Sequence, residues 1–254
     1  MYTPKQLTVE SALRIGIDIG GTFTDFVVFH PVSGKIETFK LLSTSHNPAE
    51  VVIEGLARIS KQWDLNDEML VTIIHGSTVA TNALLERKGA RTALITTRGF
   101  RDVIQIGRQN RPDLYDLFTT SPPPLVPDEL RFEITERIGP TGEIQIPLAN
   151  ESLEALYADL GSRRPESIAL CLLFSFANPT HEQKIALELR KAGHQVSVSS
   201  EILPEYREFE RTSTTVINAY VSPILKKYLD TLEKSIKPDT KRKGKKCNLR
   251  IMQM

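Results

Sequence analysis

The chain has 254 residues, of which 40% are hydrophobic and 25% charged, and its formal net charge at neutral pH is +1. This composition predicts a folded, soluble globular protein, and the balanced charge gives no general attraction to nucleic acid or to an anionic membrane. The two cysteines are too few for a disulfide framework. No segment approaches the roughly 18 apolar residues of a membrane span, and residues 1–10 lack the apolar stretch of a signal peptide, so we expect a cytoplasmic protein.

The first predicted element is a strand that ends in a glycine pair flanked by aspartates. Apolar residues alternate up to Asp18, Gly20 and Gly21 follow, and residues 26–29 form a β-branched and aromatic run. This run predicts a second strand, which excludes a Walker A loop and a Rossmann fingerprint because both of these motifs open a helix. The sequence therefore predicts a hairpin.

Two interpretations of the hairpin remain open. In the first, Gly20 and Gly21 take positive φ and bring backbone N–H groups close to a phosphate. The hydroxyls of Thr22 and Thr24 add further donors, and Asp18 holds a hydrated Mg²⁺ that bridges phosphate oxygens. In the second, the turn is an ordinary Gly-Gly hairpin, since short glycine motifs are common in proteins that bind no nucleotide.

The following elements alternate between strands and helices. A third strand at Lys35–Leu42 completes an antiparallel meander, and Asn47 and Pro48 fit the N-cap and first position of a helix. Gly89 and Gly193 fit positions just past helix ends. Further strands are predicted at residues 71–75, 92–96, 168–174 and 195–199, helices at 77–87, 151–160 and 180–192, an extended loop at 121–127 and a hairpin across 130–146. The pattern predicts an α/β fold.

The last part of the chain is predicted to be a long helix. Its apolar residues recur at helical spacing from Val216 to Leu232, and Ser222-Pro223 fits a fresh N-cap and first position, so we expect a kink or a break there. We expect its apolar face to be uncovered, which favours self-association into a homo-oligomer. The basic segment 241–246 is expected to be a solvated loop, and residues 249–252 begin another strand.

Four segments follow one another along the chain: residues 18–25 (DIGGTFTD), 75–87 (HGSTVATNALLER), 99–102 with 107–112 (GFRD and GRQNRP), and 203–211 (LPEYREFER). Together they resemble the hydantoinase A and 5-oxoprolinase family, over residues 14–236. The resemblance implies an actin-like ATPase fold, in which an RNase H-like domain begins with an antiparallel meander that leads into a mixed sheet flanked by helices. It implies this N-terminal domain at residues 12–204 and a truncated start of the second, hydantoinase A domain at residues 205–254.

The resemblance also implies an activity. Members of this family use ATP to open cyclic amides such as 5-oxoproline or hydantoin by phosphorylating the amide oxygen. The chain is thus expected to be the N-terminal region of an ATP-dependent cyclic-amide hydrolase, incomplete on its own, with ATP and Mg²⁺ as cofactors and a hydantoinase B-type subunit as partner. The alternatives are a subunit of an acetone-carboxylase-type enzyme, or an inactive truncated fragment that acts only through association.

By the same resemblance, residues 18–25 form the first phosphate loop. The implied catalytic residues are Asp18, which also binds the metal, His75 and Asn82, and the implied cofactor-binding residues are Gly20, Gly21, Thr22, Thr24, Asp25 and Thr78. From its residue type alone, His75 is either a general base or a hydrogen-bonded structural group.

Three arginines are candidates for substrate binding. Arg101, Arg108 and Arg111 follow an apolar strand, where a guanidinium can grip a carboxylate or a phosphate with two hydrogen bonds. The alternative for each of them is a surface ion pair with Asp102 or Asp113. We expect at least one of the three to face the cleft.

Overall fold

The computed structural model of the chain describes residues 12–44, 47–63, 70–110, 115, 118, 122–236 and 247–252. The strands in these ranges are β1 (Ala12–Ile19), β2 (Phe23–His30), β3 (Lys35–Leu42), β4 (Leu70–Ser77), β5 (Thr92–Thr97), β6 (Arg131–Ile134), β7 (Arg137–Ile138), β8 (Ile144–Ile146), β9 (Ser167–Cys171), β10 (Val196–Val198) and β11 (Cys247–Met252). The α-helices are α1 (Pro48–Gln62), α2 (Val79–Leu85), α3 (Val103–Ile106), α4 (Asn150–Arg163), α5 (Thr180–Lys191), α6 (Ser199–Ile202) and α7 (Glu208–Ile236).

The chain forms two compact units. The first unit contains the residues up to Asn82 and those from Leu225 onward, and the second unit is Ala83–Ile224. The division into residues 12–204 and 205–254 follows the family resemblance and stays a prediction. The boundaries of the two compact units differ from that division, because β11 near the end of the chain pairs with β4 in the sheet that contains β1.

The first unit is built on a five-stranded mixed sheet in the order β11-β4-β1-β2-β3. β1, β2 and β3 form an antiparallel meander, whereas β4 runs parallel to β1 and β11 runs parallel to β4. The α/β fold with a meander that leads into a mixed sheet, predicted from the sequence, is confirmed.

One face of this sheet is buried and the other is open. The alternating residues of β1 and β2 supply the buried face, and α1 approaches it so closely that a Cβ on Gly55 would lie 2.1 Å from the ring of Phe26. On the opposite face Val27 and Ile74 are each 42% exposed and Ile36 is 64% exposed. Asp18 and Asp25 also lie on this open face, because they alternate with the buried positions.

The second unit contains a four-stranded parallel sheet in the order β10-β9-β5-β6. Helices α4 and α5 pack on one face, where residues of β5 and β9 such as Ile95 and Leu170 are buried. On the other face, Val216 and Ala219 of α7 pack with Leu94. Both faces of this sheet are therefore covered.

Helix α7 was predicted to kink or break at Ser222-Pro223. It is continuous from Glu208 to Ile236 with Pro223 inside it, so it does not break there, and the kink stays a prediction. Val216, Tyr228 and Leu232 are buried, so the expectation of an uncovered apolar face was wrong, and the argument for self-association that rested on it no longer holds. The predicted basic loop at 241–246 lies outside the described residues.

Two local predictions also change. The segment predicted as one hairpin contains β6, which pairs in parallel with β5, and a shorter hairpin of β7 and β8 that turns at Gly142 with φ +89°. The left-handed residue after α2 is Arg87, not Gly89. Gly89 is required for a different reason, since a Cβ there would lie 2.0 Å from the ring of Tyr220.

Among the described residues, no helix combines the length and the apolarity needed to cross a membrane.

Candidate functional site

The candidate site begins at the turn between β1 and β2, which consists of Gly20, Gly21 and Thr22. The N–H of Gly20 donates to the carbonyl of Phe23 at 3.0 Å and closes the turn. The N–H of Ser43, which lies outside the turn, donates to the carbonyl of Thr22 at 2.9 Å and holds the turn in place. The turn is thus held by its own backbone and by the residue that follows β3.

The two glycines do not act as the sequence predicted. Neither Gly20 nor Gly21 has φ in the left-handed region. At Gly20 the constraint is close approach, because a Cβ would lie 3.0 Å from the carbonyl oxygen of Phe23, whereas a Cβ at Gly21 would meet nothing within 4 Å. Gly21 therefore leaves open space above the turn for a ligand.

Two backbone N–H groups of the turn, those of Gly21 and Thr22, have no acceptor within the described part of the chain, and both residues are exposed. Free N–H groups in a tight turn attract anions because each carries a partial positive charge. The hairpin therefore offers the donor pair that a phosphate needs.

Thr24 supports the turn and is not an exposed donor. Its side chain is fully buried, with Oγ1 2.9 Å from the hydroxyl of Ser43, and that hydroxyl donates to the carbonyl of Gly20 at 2.9 Å. The expectation that the Thr24 hydroxyl faces a phosphate is corrected in this respect, because β2 turns this side chain toward the core.

Two carboxylates lie on the open face of the sheet, near the strand ends that the turn joins. Asp18 is exposed and stands opposite Asp25 in the antiparallel register of β1 and β2. The carboxylate of Asp25 pairs with Lys40 at 3.0 Å, whereas no ion pair joins Asp18 to another of the described residues.

The end of β4 lies next to the end of β1, where Ile19 pairs with Ser77. The hydroxyl of Thr78 donates to the carbonyl of Ile19 at 2.8 Å, and the side-chain amide of Asn82 donates to that hydroxyl at 3.3 Å. Thr78 and Asn82 are therefore brought to the same sheet edge as the hairpin, where they brace the last residue of β1.

His75 is fully buried under the sheet. Its Nδ1 lies 3.3 Å from the carbonyl of Ile17, and its Nε2 is hydrogen-bonded to the hydroxyl of Tyr228. Burial lowers the pKa of His75 and raises the pKa of Tyr228, so both groups are neutral. The Nε2 atom of the imidazole then accepts a hydrogen bond from the Tyr228 hydroxyl, while its Nδ1–H donates to the carbonyl of Ile17. The geometry favours the structural interpretation of His75 over that of a general base.

Two of the three arginines predicted to bind substrate are among the described residues, and both form ion pairs with carboxylates of the second unit. Arg101 pairs with Asp128 at 2.6 Å, and Arg108 pairs with Glu210 at 2.7 Å. Arg111 lies outside the described residues. Neither Arg101 nor Arg108 presents a guanidinium without a partner, so binding substrate would require an exchange of partners.

Two residues of this region were missed from the sequence. Ser43 ties the turn from a position 23 residues away, and no local pattern points to it. Tyr228 completes the partners of His75 across 153 residues and was counted only as an apolar position of the long helix.

Comparisons with known proteins identify the family of this chain. A sequence model of the hydantoinase/oxoprolinase N-terminal region matches residues 14–193, and a model of hydantoinase/oxoprolinase matches residues 211–254.

Two named relatives are similar along most of the chain. The chain is 35% identical to caprolactamase subunit alpha from Pseudomonas jessenii, over 87% of this chain and 33% of the relative. It is also 35% identical to 5-oxoprolinase 1 from Arabidopsis thaliana, over 87% of this chain and 20% of the relative. The chain thus spans a third or less of the length of these relatives.

Solved structures have the same fold. A nucleotide-free structure of acetone carboxylase, described as part of a mechanism of ATP-dependent acetone carboxylation, superposes with a TM-score of 0.78 at 28% identity, over 94% of this chain and 36% of that one. The ATP-dependent caprolactamase from Pseudomonas jessenii superposes with a TM-score of 0.77 at 32% identity, over 94% of this chain and 35% of that one. On the sequence models and these relatives, the chain belongs to the hydantoinase/oxoprolinase family.

Proposed function

We propose that this chain is the phosphate-binding region of an ATP-dependent enzyme that opens a cyclic amide, 5-oxoproline or a hydantoin, by phosphorylating the amide oxygen. The observation that carries the proposal is the hairpin between β1 and β2, where the N–H groups of Gly21 and Thr22 have no acceptor within the described part of the chain and Asp18, near the end of β1, is exposed. Family membership supports the choice of ATP as the phosphate donor.

The residues present fit a hydrated Mg²⁺. This ion binds proteins through one or two carboxylates and keeps several waters or phosphate oxygens as its other ligands. Asp18 supplies one exposed carboxylate, and Asp25 lies opposite it. In the described ranges no three His, Cys, Asp or Glu side chains converge.

Phosphorylation solves the chemical difficulty of an amide. The carbonyl resists water because resonance with nitrogen makes it a poor electrophile, and a phosphate on oxygen converts that oxygen into a leaving group. Transfer of the phosphoryl group needs positioning and charge neutralisation more than covalent catalysis, and each well-placed donor contributes about 3 kcal/mol. The two turn N–H groups would bind phosphate oxygens, and the metal when bound would neutralise their charge.

The other candidate residues have supporting roles in this proposal. Thr78 and Asn82 hold the carbonyl of Ile19 and so fix the entry into the turn. His75, with both ring nitrogens engaged, positions β1 against α7. Arg101 and Arg108 would bind substrate only after leaving their carboxylate partners.

A second candidate is a subunit of an acetone-carboxylase-type enzyme, favoured by the superposition on acetone carboxylase. Both candidates use the same hairpin chemistry and differ in the group that is phosphorylated. For either one, we infer that further polypeptide takes part, in the same chain or as a hydantoinase B-type subunit, because the relatives are much longer.

The test separates phosphate binding from turnover. Calorimetry with the 254-residue chain should show saturable binding of ATP or inorganic triphosphate that depends on Mg²⁺. Asp18→Asn should weaken it at least about tenfold because it removes a cation ligand. The matched control Glu54→Gln removes an exposed carboxylate of α1 and should leave binding unchanged.

Turnover then distinguishes the substrates. Phosphate release that requires 5-oxoproline or hydantoin supports ring opening, and release that requires both acetone and bicarbonate supports the second candidate. Absence of any Mg²⁺-dependent triphosphate binding overturns the proposal and leaves a fragment that acts only through association.

A further inference from the structure

The turn between β1 and β2 has a backbone conformation that its own two loop residues do not explain. Gly21 and Thr22 form the loop, and the N–H of Gly20 before it donates to the carbonyl of Phe23 after it at 3.0 Å. The favoured two-residue hairpin loops take positive φ at their first position. Neither Gly21 nor Thr22 has φ in the left-handed region. We therefore looked for a contact from outside the loop that holds this conformation.

The carbonyl of Gly20 makes that contact. In a closed β-turn, the carbonyl before the loop accepts from the N–H of the residue after it, which here is Phe23. Within the described part of the chain this bond is not formed. The carbonyl of Gly20 accepts instead from the hydroxyl of Ser43 at 2.9 Å. Ser43 thus replaces the donor that would close the turn, and the turn does not use the N–H of Phe23.

The hydroxyl of Ser43 is itself held in place. Its oxygen lies 2.9 Å from Oγ1 of Thr24, a side chain that is fully buried. Because the hydroxyl proton of Ser43 is donated to Gly20, the hydroxyl of Thr24 is the donor in this pair. The hydrogen bonds therefore run in one direction, from Thr24 through Ser43 to Gly20, and each bond in such a chain polarises the next.

The same contacts favour an anion at the turn. Carbonyl oxygens repel an anion, whereas N–H groups attract one. Ser43 donates to two carbonyls of the turn, through its hydroxyl to Gly20 and through its N–H to Thr22. Thr78 donates to a third, that of Ile19, at 2.8 Å. These bonds offset the partial negative charge of the carbonyls, so the N–H groups of the loop set the polarity of the turn.

We propose that Ser43 is a positioning residue of the phosphate site. Its hydroxyl holds the turn open and keeps the N–H of Phe23 available for a phosphate oxygen, in addition to those of Gly21 and Thr22. Without this hydroxyl, the N–H of Phe23 closes onto the carbonyl of Gly20 and the site loses a donor. The identity of the ligand rests on the proposed function, whereas the open turn is a property of the chain alone.

The first measurement is calorimetry of the 254-residue chain with inorganic triphosphate and Mg²⁺. Ser43→Ala should weaken binding about fivefold, and Thr24→Val about twofold because Thr24 only supports the hydroxyl of Ser43. Ser43→Thr keeps the hydroxyl and should bind within about twofold of the wild-type chain. The matched control is Ser33→Ala, which removes a hydroxyl 2.9 Å from Nδ1 of His30 at the opposite end of β2 and β3, and it should leave binding unchanged.

The second measurement is amide hydrogen exchange without ligand, which separates positioning from a loss of stability. In Ser43→Ala, the N–H of Phe23 should exchange at least about fivefold more slowly than in the wild-type chain, because it now donates to Gly20. A turn that is merely loosened would instead exchange faster, both at Phe23 and at Gly20, whose N–H joins the two strand ends. If Ser43→Ala does not fold, Thr24→Val is used in its place, with smaller changes in the same directions.

Either of two results would overturn the inference. One is an unchanged triphosphate affinity in Ser43→Ala, and the other is faster exchange of the Phe23 N–H in that variant. Both leave the proposed function standing as long as the wild-type chain binds triphosphate. A wild-type chain that binds no triphosphate rejects the phosphate site itself, whatever the exchange rates are, so the two failures are distinguishable.

Discussion

The five-stranded sheet of the first unit has exposed apolar residues on one face, whereas the four-stranded sheet of the second unit has helices on both faces. The first sheet leaves Val27, Ile36 and Ile74 exposed on its open face. In the second sheet every residue of β5 and β9 is buried. The two units thus share an α/β design but differ in how much of the sheet meets solvent.

The polar groups at the strand ends differ in the same way. At the end of β1, Asp18 and Gly21 are exposed. Just past β9, the N–H of Leu172 donates to buried Glu182 at 2.8 Å. The N–H of Leu173 donates to Thr97, which in turn bonds to buried Glu136. The comparison shows that polar groups at the strand ends of the first unit are exposed, while N–H groups at the strand ends of the second unit are satisfied through buried carboxylates.

The strongest test of this difference between the two units is the substitution of Glu182. Glu182→Ala should lower the free energy of unfolding by at least about 3 kcal/mol, because it leaves the N–H groups of Leu172 and Ser200 unsatisfied and removes the counter-charge of Arg211. Urea denaturation measures the loss. Glu188→Ala, an exposed position on the same helix, is the control and should stay within about 0.5 kcal/mol. A loss under about 1 kcal/mol for Glu182→Ala would mean that water replaces the carboxylate.

In the first unit the largest effect should come from packing under the sheet. Gly55→Ala should cost about 1–3 kcal/mol, because the new methyl group meets the ring of Phe26, which is stacked on Phe39 at 4.7 Å. Thermal or urea unfolding checks this value. The matched variant Gly161→Ala lies on α4 with nothing within 4 Å and should stabilise the protein by about 0.5–1 kcal/mol through helix propensity. Equal effects at the two positions would contradict the close approach of α1.

The buried imidazole of the first unit should make stability depend on pH. Burial lowers the pKa of His75 below its usual 6.5, so the unfolded chain binds more protons than the folded chain as the pH falls. Stability should therefore be lost from about pH 6.5 downward, by about 1.4 kcal/mol for each unit by which the folded-state pKa lies lower.

His75→Gln provides the reference for this loss. The wild-type chain should lose more unfolding free energy than the variant between pH 7.5 and 5.0, as measured by urea titrations at each pH. Parallel pH profiles would assign the dependence to other groups.

We expect the smallest changes in stability from alanine substitutions at the two glycines of the exposed turn. Gly20→Ala should cost about 1 kcal/mol because its Cβ is pressed against the carbonyl oxygen of Phe23. Gly21→Ala should stay within about 0.5 kcal/mol, since its Cβ meets open space and φ is not left-handed. The melting temperatures of the two variants test this prediction. A larger loss of stability for Gly21→Ala than for Gly20→Ala would show that the turn has a different conformation.

The parts of the fold that follow local patterns were predictable from the sequence. The alternation of Leu13, Ile15 and Ile17 gave β1, and Asn47 with Pro48 gave the start of α1. The pairing of β6 with β5 was not predictable, because a four-residue strand carries no sign of its parallel partner. Sequence alone left a kink or a break of α7 open at Pro223. The helix does not break, because burial of Val216 and Leu232 on either side offsets a local cost of about 3 kcal/mol.

The exposed residues of the candidate site were predictable from the sequence. The glycine pair and Asp18 stand out because a strand that breaks at Gly-Gly between carboxylates is unusual. The burial of Thr24 could have been predicted, since it alternates in phase with Phe26 and Val28 of the core face. The bond from Ser43 to Gly20 could not, because it joins residues whose meeting depends on the register of β2 and β3.

The return of β11 to β4 has a consequence for how this chain is synthesised. Because Ala83–Ile224 is inserted between these two strands, the ribosome completes the first four strands of that sheet long before the fifth one exists. At translation rates of about 5–20 residues per second, the outer edge of β4 stays unpaired for on the order of ten seconds. A nascent chain with such an edge is a template for aggregation, so chaperone demand should be greatest at this stage of synthesis.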